Sequence, residues 1–150
     1  MAVRNILRDP WLSDLAAMEQ RMNELFGGLF AGRTTQWVPP LDAYSTDDEY
    51  VVMLDLPAVD EDRLDIEVVD QVLTVSGERS FDYAGEVERM ERPAGQFVRS
   101  LSLPHGVDPD RIKADYTNGV LELRIPKPEE HKPKRIEIAK GNGSRQIEAS

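Results

Sequence analysis

Cysteine is absent from this 150-residue chain. Disulfides, thiolate nucleophiles and cysteine-bound metals are therefore excluded, and a reducing cytoplasm is compatible. Histidine is scarce: His105 lies in the turn Pro104-His105-Gly106 and His131 in a polar tail, a poor basis for a zinc site. There is no glycine-rich phosphate loop and no G-x-S-x-G elbow, which argues against nucleotide hydrolysis. No apolar run approaches the ~20 residues that span a bilayer, and the N-terminus lacks the basic-then-apolar order of a signal peptide. The expectation is a cytoplasmic protein with no cofactor, no metal, no membrane insertion and no catalysis. Asp47-Asp48-Glu49 and Asp60-Glu61-Asp62 lack the ligand spacing and turn glycine of an EF-hand, and read as solvated turns. Any two of the 28 acidic residues could meet as a glycosidase pair, but nothing singles one out.

A basic face is missing as well. Net charge is -10, and residues 127–150 hold six of the 18 Lys/Arg and four of the 28 Asp/Glu, which leaves 12 basic and 24 acidic residues in 1–126. Such a body repels phosphate backbones, so no nucleic-acid partner is expected. The acidity keeps the chain hydrated, which matters if it carries apolar surface.

What is present falls into three segments, one domain with two appendages. Residues 9–30 read as an amphipathic helix: Asp9 can cap, Pro10 suits the first turn, and Trp11, Leu15, Met18, Met22, Leu25, Phe26 and Leu29 recur at spacings of three and four. Gly27 and Gly28 weaken or end it, and residues 31–40 read as a linker. The stripe either packs on its own domain or forms adaptable surface, because Met repacks around irregular partners.

From Leu41 to Pro126 the pattern alternates. Strands are expected at Tyr50–Leu56, Leu64–Val69, Val72–Gly77, Gln96–Leu103, Arg111–Tyr116 and Val120–Pro126. Asp70-Gln71 makes a tight link, and Asn118-Gly119 is a strong hairpin signal because both positions tolerate positive φ. Many short strands with almost no helical period mean an antiparallel β-sandwich. The polar stretch between Glu78 and Gly95 exceeds the ~12 to 15 residues usual for a loop in a compact domain. Its section Glu86–Met90 can form a short strand free to pair elsewhere, with a second copy among the options, or is a mobile surface loop.

After Pro126 the chain is rich in Lys, Pro, Glu and Gly and cannot bury enough to fold. The exception is Ile136-Glu137-Ile138, with Ile147 a lone third. In an extended backbone Ile136 and Ile138 project to one face as two knobs suited to a slot at a sheet edge. The bland alternative is a chance doublet in a frayed end.

Three motifs then carry a resemblance: Gly95-Gln96-Phe97-Val98-Arg99-Ser100-Leu101-Ser102-Leu103-Pro104, the segment Ala114-Asp115-Tyr116-Thr117-Asn118-Gly119-Val120-Leu121-Glu122-Leu123, and the tail Ile136-Glu137-Ile138. Together with Leu73-Thr74-Val75-Ser76-Gly77-Glu78-Arg79 ahead of them, they resemble the small heat-shock proteins of the α-crystallin type, in bacterial or archaeal form. The resemblance implies an all-β, immunoglobulin-like antiparallel β-sandwich, the α-crystallin domain at 41–127. A helical N-terminal arm at 1–40 and a flexible C-terminal extension at 128–150 flank it. It also implies a dimer building block that assembles into a large homo-oligomer. Ile136 and Ile138 would latch into a groove on a neighbour walled by Ile66, Val68, Ala114 and Tyr116. The loop residues Glu86, Val87, Glu88, Arg89 and Met90 would pair with the partner's first strand, Leu41–Ser45, through Leu41 and Ala43. Arg99 would lie near that interface, with Glu86, Glu88 and Glu91 as candidate carboxylates. Ser100 stands where many relatives have a second arginine, and Asp70-Gln71 replaces a commoner Gly- or Asn-containing turn.

The implied function is an ATP-independent holdase that keeps unfolding proteins from aggregating, passing clients to ATP-driven refolding chaperones downstream. Trp11, Leu15, Met18, Met22, Leu25, Phe26 and Phe30 are the candidate client-binding surface, and the acidic body keeps complexes hydrated. A monomeric co-chaperone similar to CS-domain proteins accounts for the sandwich but not for the isoleucine pair or the Met-rich arm. An enzyme on a β-sandwich has no constellation to support it.

Overall fold

Alternating apolar residues build seven strands in the computed structural model, which describes Trp11 and residues 37–139. These are β1 Leu41–Ser45, β2 Glu49–Asp55, β3 Leu64–Val69, β4 Val72–Arg79, β5 Gly95–Ser102, β6 Lys113–Thr117 and β7 Val120–Pro126. All pairings are antiparallel, in a four-stranded sheet ordered β1-β2-β7-β6 and a three-stranded sheet ordered β3-β4-β5. The inward faces, Leu54 and Leu56 with Leu121, Leu123 and Ile125 of the first sheet and Leu73, Val75, Phe97 and Leu101 of the second, fuse into one core. The expected sandwich is the one observed. The helical arm lies outside the described residues except for Trp11, which is helical, and residues 140–150 also lie outside them.

Both predicted tight turns close two-residue hairpins. Val69 faces Val72 across Asp70-Gln71 (φ 49° and 62°), and Thr117 faces Val120 across Asn118-Gly119 (φ 54° and 78°). Positive φ at both central residues matches the right-handed strand twist.

Several boundaries differ from expectation: β2 and β5 each lie one residue earlier at both ends, β6 ends one residue later, and β1 lies outside the strands read from the alternation. Lys113, not Arg111, opens β6, because Asp108 accepts the N–H of Asp110 and, with Pro109, winds Pro109–Arg111 into a 3-10 turn. Strand β4 runs two residues further, to Arg79, whose side chain is buried. Residues 37–40, assigned by composition to a linker, belong to the packed body. Trp37 is 7% exposed, its ring lies edge-on to Phe97 at 5.1 Å, and its indole N–H donates to Gly95 O at 3.0 Å. Pro39 is fully buried and its carbonyl accepts from Arg99.

Candidate functional site

Hydrogen bonding along the ladders decides which backbone groups are left over for a partner. In an antiparallel pair, residues alternate between bonding across the ladder and turning N–H and C=O away from it. At β1, Asp55 N–H bonds Pro40 O, so by register Asp42 and Tyr44 bond β2 while Leu41, Ala43 and Ser45 turn outward. The two-residue hairpins set the same phase elsewhere. On β3 the outward residues are Leu64, Ile66 and Val68, and on β6 they are Ala114 and Tyr116. Strands β1 and β6 are the two edges of one sheet, and β3 is an edge of the other. Every strand residue expected at the latch groove or in the first-strand pairing thus sits on an outer strand with its backbone off the ladder.

The side chains of Ile66, Val68 and Tyr116 are half-buried against the core, and Ala114 is exposed. Tyr116 is held in place: its hydroxyl bonds Leu56 O at 2.7 Å and Val59 O at 2.9 Å, which ties β6 to the chain leading into β3. Burial raises its pKa above the ordinary phenol value, and the nearby carboxylates of Glu61 and Asp60 add to the shift. Leu41 and Ala43 are likewise half-buried against the core.

The long loop is tethered at its base and open in its middle. Arg79 is 6% exposed; its guanidinium donates through Nε and Nη2 to Pro93 O and through Nη1 to Pro57 O, and it lies 3.9 Å from the Trp37 ring centroid. Desolvation by burial, with Arg92 nearby, lowers its pKa, though an arginine remains charged at neutral pH. Arg92 covers Phe81 at 3.6 Å. Between these anchors Val87 and Met90 are exposed, and Glu86–Met90 forms no strand within the single chain. Arg89 pairs with Glu91 at 2.8 Å, but both are largely exposed and the pair adds little stability. Arg99 donates from Nη1 to Pro39 O at 2.8 Å.

The tail leaves from a fixed root. Lys127 is buried, with its N–H on Asp48 O and Nζ 3.3 Å from Ser45 Oγ, and Glu129–His131 makes a 3-10 turn. Beyond it Ile136 and Ile138 are 89% and 91% exposed. Of the arm, Trp11 packs on the sandwich, whereas Leu15, Met18, Met22, Leu25, Phe26 and Phe30 lie outside the described residues. Among the described residues no group of three His, Asp or Glu could hold a metal.

Sequence reasoning missed Arg79 as the loop tether and Trp37 as core. The inward register of Leu73, Val75 and Gly77 carries on to Arg79 and could have found the first; a lone aromatic in a Pro-rich stretch has no period to reveal it.

The family model described as "Hsp20/alpha crystallin family" matches residues 42–139. The chain is 48% identical over 102 residues to the 18 kDa antigen 2 of Mycobacterium avium, covering 67% of this chain and 74% of that one. It is 42% identical over 111 residues to the 18 kDa heat shock protein of Streptomyces albus G, covering 72% and 78%. Among solved structures, a small heat-shock protein from Xylella fastidiosa superposes with a TM-score of 0.60 at 33% identity, covering 69% of this chain and 98% of that one.

Proposed function

Because the chain belongs to the Hsp20/alpha crystallin family, we propose that its open strand edges serve assembly and its arm serves client capture. The protein is an ATP-independent chaperone that self-associates, binds partly unfolded proteins and prevents their aggregation; it is not an enzyme. How it does so is our reading. Residues 41–127 form the α-crystallin domain, extended in this chain by Trp37–Pro40, with an N-terminal arm before it and an extension at 128–150 after it. Ile136 and Ile138 dock into a neighbour's groove between β3 and β6, lined by Ile66, Val68, Ala114 and Tyr116. The loop section Glu86–Met90 adds a strand to the partner's β1 at Leu41 and Ala43, with Arg99 near the seam.

The observation that carries this reading is the ladder phase. Both receiving surfaces are edges with unspent backbone groups, which an incoming extended segment can use. The segments proposed to fill them are exposed in the single chain: Ile136 and Ile138 almost completely, Val87 and Met90 by 43% and 59%. Client capture falls to Leu15, Met18, Met22, Leu25, Phe26 and Phe30, with Trp11 at the head of the stripe. Held clients pass to ATP-driven refolding chaperones, since holding alone supplies no energy for refolding. The proposed compartment is the cytoplasm, which suits a chain without cysteine; no described helix is long and apolar enough to cross a membrane.

The test is deletion of residues 1–36, a cut that spares Trp37. The shortened chain should keep its far-UV β signature and lose at least severalfold in suppression of a heat-unfolding client, followed by light scattering. Undiminished suppression would move client capture onto the sandwich and refute the assignment to the arm.

A further inference from the structure

Two indoles cap the two ends of one edge strand, and they are held very differently. Strand β5 is one of the two outer strands of its sheet. Leu103 N–H bonds Gln71 O, so by register Phe97, Arg99 and Leu101 bond β4 while Ser100 and Ser102 turn their backbone groups to the open edge. At the start of β5, Trp37 donates to Gly95 O, with Arg79 over its ring and Phe97 at its edge, and is buried in the core. At the end of β5, Trp11 donates to Ser102 O at 2.8 Å and leans on Tyr50 with ring centroids 4.5 Å apart at 49°. Trp11 is only half-buried, and it arrives from a segment 91 residues away in sequence.

The seat is built from packed side chains. Tyr50 is 3% exposed, its hydroxyl is 3.4 Å from His131 Nδ1, and Lys127 Nζ lies 4.7 Å from its ring centroid. The floor is therefore an aromatic ring contacted by the tail root, and the rim is an outward carbonyl. That combination selects a flat apolar ring with one hydrogen-bond donor, the chemistry of tryptophan and, less closely, tyrosine. Such side chains are largely buried in native proteins and become accessible when a chain unfolds.

We infer that this seat is a masked receptor for an aromatic side chain of an unfolding polypeptide, with Trp11 as its resident occupant. The inference rests on the chaperone reading above and names one place where a client is held. Displacement of Trp11 frees the Tyr50 face and the Ser102 carbonyl together, and it releases the head of the arm stripe in the same event. The seat takes a single ring; the rest of the arm supplies the remaining contact.

The absence of cysteine makes a direct test available. In the full chain, Ser102→Cys carries a single thiol, which can bear a bimane, a dye quenched by contact with indole. Trp37 lies too far away to interfere, since seven strand residues span about 23 Å. The parent label should be dark and the Trp11→Ala label bright. N-acetyl-tryptophanamide should dim the Trp11→Ala label saturably, while N-acetyl-leucinamide should not. Competition is read in Trp11→Phe, whose ring fills the seat without an indole to quench the label: it should be bright and should need severalfold more of the tryptophan probe than Trp11→Ala, because a tethered ring competes at a high effective concentration. A bright parent label, or a Trp11→Ala label indifferent to the tryptophan probe, overturns the inference. Dimming by unlabelled parent subunits with no response to the probe would make a second copy the occupant and also overturns it. Suppression of client aggregation by the unmodified chain is measured separately, so a failed seat and a failed chaperone reading are told apart.

Discussion

Replacing Ile136 and Ile138 together by alanine separates assembly from folding. In the single chain both side chains are about nine-tenths exposed, so their truncation removes almost no contact from the sandwich. Stability of the domain should stay within about 0.5 kcal/mol of the parent, as for surface substitutions elsewhere. Docked in a groove, each isoleucine buries roughly three carbons that alanine lacks, worth about 0.8 kcal/mol apiece, or about 5 kcal/mol per tail. Ordering two isoleucines and the extended tail offsets about a third of that, since each fixed side chain costs about 0.5–1 kcal/mol. The remaining ~3 kcal/mol is about a hundredfold per latch at 1.4 kcal/mol per decade. In a closed particle every subunit gives one tail and receives another, so the losses compound through effective concentration. Size-exclusion chromatography with light scattering at fixed micromolar concentration should show dimers or small oligomers, with an unchanged melting temperature of the sandwich. Glu137→Ala, on the opposite face of the extended segment, should leave the particle mass unaltered. Large particles that persist in the double variant would refute the latch, and a lowered melting temperature would show that the isoleucines serve their own domain.

Arg79→Met should destabilise the domain by about 2–4 kcal/mol in urea unfolding, because it strips donors from the Pro93 and Pro57 carbonyls and the cation from the Trp37 face; a loss below about 0.5 kcal/mol would show the tether to be idle. Tyr116→Phe should cost about 1–3 kcal/mol near neutrality by removing the one O–H that the Leu56 and Val59 carbonyls share. The raised phenol pKa gives the same substitution a pH signature: folding favours the neutral form, so this contribution is complete below the unfolded value near 10 and is lost as pH climbs through the higher folded value. Alkaline denaturation of the parent should therefore contain a step that the phenylalanine variant lacks, and identical alkaline profiles would contradict it.

Much of the sandwich was legible because a half-buried strand writes its burial into a period of two. Leu64, Ile66 and Val68 against Asp65 and Glu67 located β3 to the residue, and Leu121, Leu123 and Ile125 did the same for β7. Asn118-Gly119 and Asp70-Gln71 located two hairpins because few residue pairs tolerate two successive positive φ values. Boundaries failed where a local side-chain bond competed with the strand, as Asp108 does at Pro109–Arg111. The segment Trp37–Pro40 was misread because composition registers Gly, Thr and Pro but not the cavity that a single indole fills.

By itself the sequence determined the fold class, the hairpins, the acidic body and the isolated isoleucine pair, all of which depend on residues adjacent or a few positions apart. Only the tertiary structure decided that Trp37 belongs to the core, that Arg79 ties the loop base to Pro57 and Pro93, and that Trp11 rests on Tyr50 and Ser102. Those contacts join residues from 14 to 91 positions apart. They exist because two sheets facing each other bring distant edges together, and no periodicity along the chain encodes which edge will meet which side chain.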